Sequence, residues 1–123
     1  MRNLILLFSI TIMIISCNSE KTLTGFDKNT WLSDNKGCAG KRILLVNSIL
    51  ENRKEWKGLD DDYLLELLGK PDQSFYYERN AKSFAFYIEP GKQCKNSSNS
   101  KFGRRLVAEI NATGFVNLIR VEN

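Results

Sequence analysis

The chain has 123 residues, 42% of them hydrophobic, which is enough for one domain with a real core. Its formal charge of +4 is a mild excess that permits contact with anionic lipid or an acidic partner without requiring it. It contains no histidine, so the common Ser-His-Asp and Cys-His catalytic arrangements are excluded and a zinc site is disfavoured.

Met1-Arg2-Asn3 places one positive charge before the apolar run Leu4 to Ile15, and Ser16-Cys17 follows. A basic start and an apolar run of roughly a dozen residues form an export signal, too short for a permanent span of about 20 residues. The aliphatic, small-residue and cysteine sequence ending at Cys17 resembles the bacterial lipobox. That resemblance implies cleavage after residue 16, acylation of Cys17 and a membrane anchor. An ordinary signal peptide and an uncleaved anchor are the alternatives. Removing residues 1–16 leaves 107 residues and, with Arg2 gone, a formal charge of +3. The polar residues 17–25 read as the lipidated cysteine and its tether, and residues 26–123 as a single domain. The acidic and serine residues after Cys17 resemble export signals of Bacteroidetes-type lipoproteins. The expected location is the envelope, in the outer membrane of a Gram-negative bacterium.

With Cys17 taken by lipid, Cys38 and Cys94 remain. An even remainder in an exported chain favours a disulfide between them, worth about 4 kcal/mol by loop-closure entropy. Two reduced thiols or a metal pair are the alternatives. No metal and no cofactor beyond the covalent lipid is expected.

Phe26 and Trp31 open the folded part, and residues 33–37 have turn composition. Residues 41–54 predict a first helix, with Ile43, Val46, Ile49 and Leu50 on one stripe and Arg53 and Lys54 at the end where the dipole favours cations. Trp56 packs under its exit. After Gly58, Asp60 caps a short second helix that Gly69 and Pro71 stop. The Asp60-Asp61-Asp62 triplet lacks the alternating ligands and distal glutamate of an EF-hand.

Period-two alternation then predicts four strands: 74–78, 83–89 with Phe84, Phe86 and Ile88 inward, 105–110 with Leu106, Ala108 and Ile110 inward, and 115–121. A polar turn at 79–82, a polar loop at 92–102 and a turn at 111–114 join them. The expected class is α+β, with two N-terminal helices packed on one face of a four-stranded antiparallel sheet.

The run Gly58-Leu59-Asp60-Asp61-Asp62-Tyr63-Leu64-Leu65-Glu66-Leu67-Leu68-Gly69-Lys70-Pro71 resembles the signature of the BamE-like (SmpA/OmlA) small lipoproteins. The order of elements over residues 41–121 and the lipobox extend the resemblance. It implies the two-layer fold shared with proteins that inhibit β-lactamase, and a role in outer-membrane β-barrel assembly through partner proteins and anionic lipid. The chain departs from the pattern in its Cys38/Cys94 pair and in Asp60, where Ser or Thr is usual. The segments ending at Cys38 and Cys94 mark a separate branch. No binding residue transfers from the family, because none matches position by position.

No acid, base or nucleophile is placed for catalysis: the acids cluster at 60–62 or lie singly as Glu78, Glu89 and Glu109, and there is no glycine-rich phosphate loop. A non-catalytic interaction module is therefore expected, with a membrane and an envelope protein as partners and no nucleic acid. Tyr76, Tyr77 and Tyr87 form a candidate aromatic patch, or else pack in the core. Lys92, Lys95, Lys101, Arg104 and Arg105 form a candidate basic patch, or else a solvated loop. An inhibitor or ligand-binding lipoprotein using its exposed sheet face is the alternative function.

Overall fold

A computed structural model describes residues 23–123. The expected export signal, the expected lipidation site Cys17 and the first residues of the expected tether lie outside the described residues. The protein is α+β: four helices, α1 (Lys28–Ser33), α2 (Arg42–Glu51), α3 (Arg53–Trp56) and α4 (Asp61–Leu68), precede strands β1 (Gln73–Tyr76), β2 (Lys82–Tyr87), β3 (Arg105–Ile110) and β4 (Val116–Glu122). The sheet is antiparallel throughout, in the order β1-β2-β3-β4.

Register fixes which residues share a face. Phe84, Ala108 and Ile119 stand opposite one another across β2, β3 and β4, and so do Phe86, Leu106 and Val121. These inward residues form one core with Trp31, Val46, Ile49, Trp56, Leu64, Leu67 and Leu68 from the helices. Trp31 is fully buried, meets Phe86 edge-on at 6.3 Å and donates Nε1–H to Leu68 O at 3.0 Å. Phe26 meets the Trp56 ring edge-on at 4.9 Å.

Two helices expected from periodicity become four for local reasons. The first predicted helix breaks at Asn52, whose Nδ2 donates back to Ser48 O at 2.8 Å and whose φ is −110°. The six-residue α1 buries only Trp31, too short a stretch to show a period. Asp27 starts it by accepting Thr30 N–H, and the Thr30 hydroxyl on the same carboxylate holds its pKa below the usual range. In α4, Asp60 accepts Tyr63 N–H at 2.8 Å and Gly69 ends the helix at φ +77°.

The polar stretch assigned to the tether is already part of the fold from Leu23 onward. Leu23 is buried, and Thr24 bonds Glu55 through both its N–H and its hydroxyl, at 2.8 and 2.6 Å. One leucine among polar residues supplies no periodicity, yet Leu23 joins the hydrophobic core.

Cys38 and Cys94 form a disulfide, with Cα atoms 5.7 Å apart and a sequence separation of 56. It joins the turn after α1 to the loop that follows β2. Gly37 lies against the same place. Its φ is +68°, and a Cβ there would stand 2.6 Å from Glu89 N and from Ile88 C. Only glycine satisfies both the left-handed backbone and the close approach.

Candidate interaction surface

Beside the disulfide lies a buried polar network. Asp34 is fully buried, and its carboxylate accepts the N–H groups of Ala39, Lys41 and Arg42 at 2.7, 2.8 and 2.9 Å. Lys41, the residue at the start of α2, makes no side-chain cap of its own. Asp34 therefore caps α2 from seven residues upstream, satisfying donors that a helix start leaves open. Arg42 is itself buried. It donates Nε–H to Trp31 O at 3.2 Å and an Nη1–H to Tyr87 O at 3.0 Å, stands 3.5 Å from Asp72, and lies over the Trp31 ring. Burial lowers the Arg42 pKa, and the charges of Asp72 and Asp34 oppose that shift. Asp72 also accepts Tyr87 N–H at 2.8 Å. The network ties α1, α2 and β2 to the entry of β1 through these bonds.

The outer sheet face, away from the helices, carries three cross-strand rows: Phe75, Ser83, Glu109 and Leu118; Gln73, Ala85, Val107 and Arg120; and Tyr87, Arg105 and Glu122. Ion pairs run across it. Arg105 pairs with Glu122 at 3.1 Å, and Arg120 reaches both Glu122 and Glu109. These charged side chains cover Ala85 and Val107.

The sequence-predicted surface divides in this frame. Tyr76 and Tyr77 are 76% and 60% exposed. Tyr87 is buried at 7%, because the loop after β2 returns Phe102 to stack on it at 6.1 Å, so it leaves the candidate patch. Arg104 clasps Glu89 through Nε and Nη2, at 3.0 to 3.1 Å. That clasp holds the Glu89 carboxyl below the usual carboxylate range and raises the Arg104 pKa. Arg105 is paired as above, so neither arginine is an open cation. Lys92 lies over the Phe102 ring, while Lys95 and Lys101 are exposed. Cys17 lies outside the described residues. Among those residues, no group of three or more Cys, Asp or Glu is placed to hold a metal ion, and no helix is long and apolar enough to cross a membrane.

No family model, curated protein or solved structure matches the chain.

Sequence reasoning missed Phe75, 41% exposed beside Tyr76 and Tyr77, so three consecutive aromatic residues stand at the end of an edge strand, two within it and Tyr77 just after it. Tyr77 N–H donates to Ala81 O, and in an antiparallel pair this alternates: Gln73 and Phe75 turn their backbone groups toward β2, and Ser74 and Tyr76 turn theirs outward. The other edge is closed at its start. Gly58 N–H donates to Val116 O and Val116 N–H to Leu59 O, both at 2.8 Å. A shallow pocket of about 480 Å³ opens between the turn that follows β1 and the turn that follows β3, lined among others by Tyr77, Glu78, Arg79, Ala81, Ile110 and Ala112.

Proposed function

We propose that this chain is a membrane-anchored lipoprotein, held through an acylated Cys17 in the envelope of a Gram-negative bacterium, most simply in its outer membrane. Its domain is a non-catalytic module that recognises an envelope protein. The observation that carries this reading is the open β1 edge, where outward backbone groups coincide with exposed Phe75, Tyr76 and Tyr77. Open strand edges invite pairing with another chain, and aromatic residues dominate the energy of protein interfaces. The Asp60-capped α4 ending at Gly69, followed by four sequential antiparallel strands, supports a BamE-like two-layer fold and with it an accessory role in outer-membrane assembly.

The test uses the full-length chain with a C-terminal tag, expressed in a bacterium of its own type. Intact cells are crosslinked and the co-purifying proteins identified by mass spectrometry. Outer-membrane assembly components are expected with the native chain, and their loss with Cys17→Ala and with Tyr76→Ser/Tyr77→Ser. Both tyrosines are exposed, and because the Tyr77 hydroxyl also bonds Ser83 Oγ at 3.2 Å, the fold of the second variant is checked by circular dichroism. Capture of one soluble hydrolase would move the reading to an inhibitor, and undiminished capture by the tyrosine variant would remove the β1 edge from it.

A further inference from the structure

Strand β1 differs from the other three in being exposed on both faces. Ser74, Phe75 and Tyr76 are all exposed, whereas each of the other strands buries at least two residues. Exposure continues through Tyr77 to Asn80. Phe75, Tyr76 and Tyr77 stand side by side, while the other exposed large apolar residues, Leu32, Leu44, Phe102, Phe115 and Leu118, stand singly along the chain. Open strand edges are normally guarded by a charge, a proline or a bulge. Gln73–Tyr76 contains no charged residue and no proline, and its register with β2 is unbroken. The opposite edge strand, β4, carries Arg120 and Glu122, lies beside a register shift at Glu109/Ile110 and is closed at its start by Gly58 and Leu59.

The β1 edge is also self-complementary. Ser74 and Tyr76, whose backbone groups turn outward, lie symmetrically about Phe75. A second copy related by a two-fold axis at this point sets Ser74 of each copy against Tyr76 of the other, each pair exchanging both N–H···O bonds. Phe75 then faces its own counterpart at a non-hydrogen-bonded position, where Cα atoms stand about 4.5 Å apart. Tyr77 shares that face, since its hydroxyl reaches Ser83 Oγ, and so meets Phe75 of the other copy diagonally. Carried past the strand ends, the same register sets Glu78 of one copy diagonally across from Lys70 of the other. Both are exposed, and neither forms an ion pair among the described residues. Asp72, directly opposite Glu78, is already turned to Arg42 and to Tyr87 N–H. The axis runs normal to the sheet, so the helical layers of both copies lie on one side. Leu23 and Thr24 belong to that layer, through the core and through Glu55 of α3. Both chains therefore enter their domains from the same side, as two copies anchored in one bilayer require.

We infer that chains not engaged with a partner pair with a second copy through their β1 edges, antiparallel about Phe75, into one eight-stranded sheet with four strands from each copy. The contact is small, roughly six residues per copy against about 20–30 in a standard interface, so it is weak and displaceable. Confinement of anchored copies to one surface raises their effective concentration and sustains it. The inference deepens the proposed function, on which its regulatory meaning rests: self-pairing guards the recognition edge, and a partner must displace the second copy to reach it.

The test is photocrosslinking in intact cells. Two full-length chains with different C-terminal tags are co-expressed, one of them with p-benzoylphenylalanine in place of the exposed Phe75. Light is expected to give an adduct carrying both tags, with the crosslink mapped by mass spectrometry to residues 73–77 of the second copy. The adduct is lost when the probe instead replaces Leu118, 44% exposed on the opposite edge strand, and when the second copy carries Tyr76→Ser/Tyr77→Ser. No adduct of both tags from Phe75, an adduct mapped away from β1, or equal adducts from Phe75 and Leu118 overturns the self-pairing. The same probe reports the proposed function separately. Adducts with an envelope protein and none with a second copy leave that function standing and end this inference. Adducts between copies alone support self-pairing and count against a different partner at this edge.

Discussion

Replacing Asp34 with alanine tests whether one buried carboxylate organises the helical layer. Three N–H donors, on Ala39, Lys41 and Arg42, lose their acceptor, and the buried Arg42 loses one of its two neighbouring carboxylates. A buried donor left unsatisfied costs about 1–3 kcal/mol, and breaking a buried charge pair about 3–5 kcal/mol. These terms overlap here, since water enters the turn at 35–41 once the carboxylate is gone, so the expected loss is about 3–4 kcal/mol. Asp34→Asn keeps the shape but puts an NH₂ against N–H donors, and about 2 kcal/mol is expected. The assay is urea unfolding followed by the fluorescence of Trp31 and Trp56, both fully buried. With a slope of about 1–1.5 kcal/mol/M for a domain of this size, the Ala midpoint falls by about 2–4 M and the Asn midpoint by about half as much. An Asn variant as stable as the native chain would refute the reasoning, because shape alone would then account for the site.

Removing the bridge as Cys38→Ala/Cys94→Ala should cost about 4 kcal/mol, measured by the same urea assay, because the closed loop spans 56 positions. Gly37→Ala should cost at least about 2 kcal/mol, since the added Cβ meets backbone rather than a yielding side chain. Acid lability should include Glu89: its folded pKa lies below the unfolded value, so its contribution is present at neutral pH and is lost as pH falls through the folded pKa. Glu89→Gln should flatten that acid limb of a stability-against-pH curve. The same sign holds for Asp61, whose hydrogen bond from Lys82 lowers its pKa, so Asp61→Asn should also flatten the acid limb.

What could be read from the residues follows from which forces act locally. Strand β3 appears at residues 105–110 as alternation predicts, because Leu106, Ala108 and Ile110 face the core. The Asp60 cap and the glycine stop of α4 are also local events, visible as residue types at fixed offsets. Tyr87 shows where locality fails. Alternation places it correctly on the face opposite Phe86, but its burial depends on a loop that returns Phe102 from fifteen residues further on. Asp34 fails the same way: it sits among turn residues, and nothing nearby in sequence marks it as the cap of α2. Which cations are paired could not be read either, because pairing depends on the sheet. Arg104 and Arg105 find Glu89 and Glu122 only once the sheet has formed, whereas Arg53 and Lys54, read as helix-end charges, form no ion pair among the described residues.

Under the proposed export, the Cys38–Cys94 bridge would also separate two moments in the life of the chain. Before crossing the inner membrane, the polypeptide would be in a reducing compartment and the two thiols would stay apart. A translocation channel accepts a thread more readily than a closed ring, and a chain still lacking about 4 kcal/mol of bracing is easier to keep threaded. Oxidation on the far side would then tie residue 38 to residue 94, pinning the loop that carries Phe102. The fold would reach its full strength only after delivery, with the crosslink as a one-way latch.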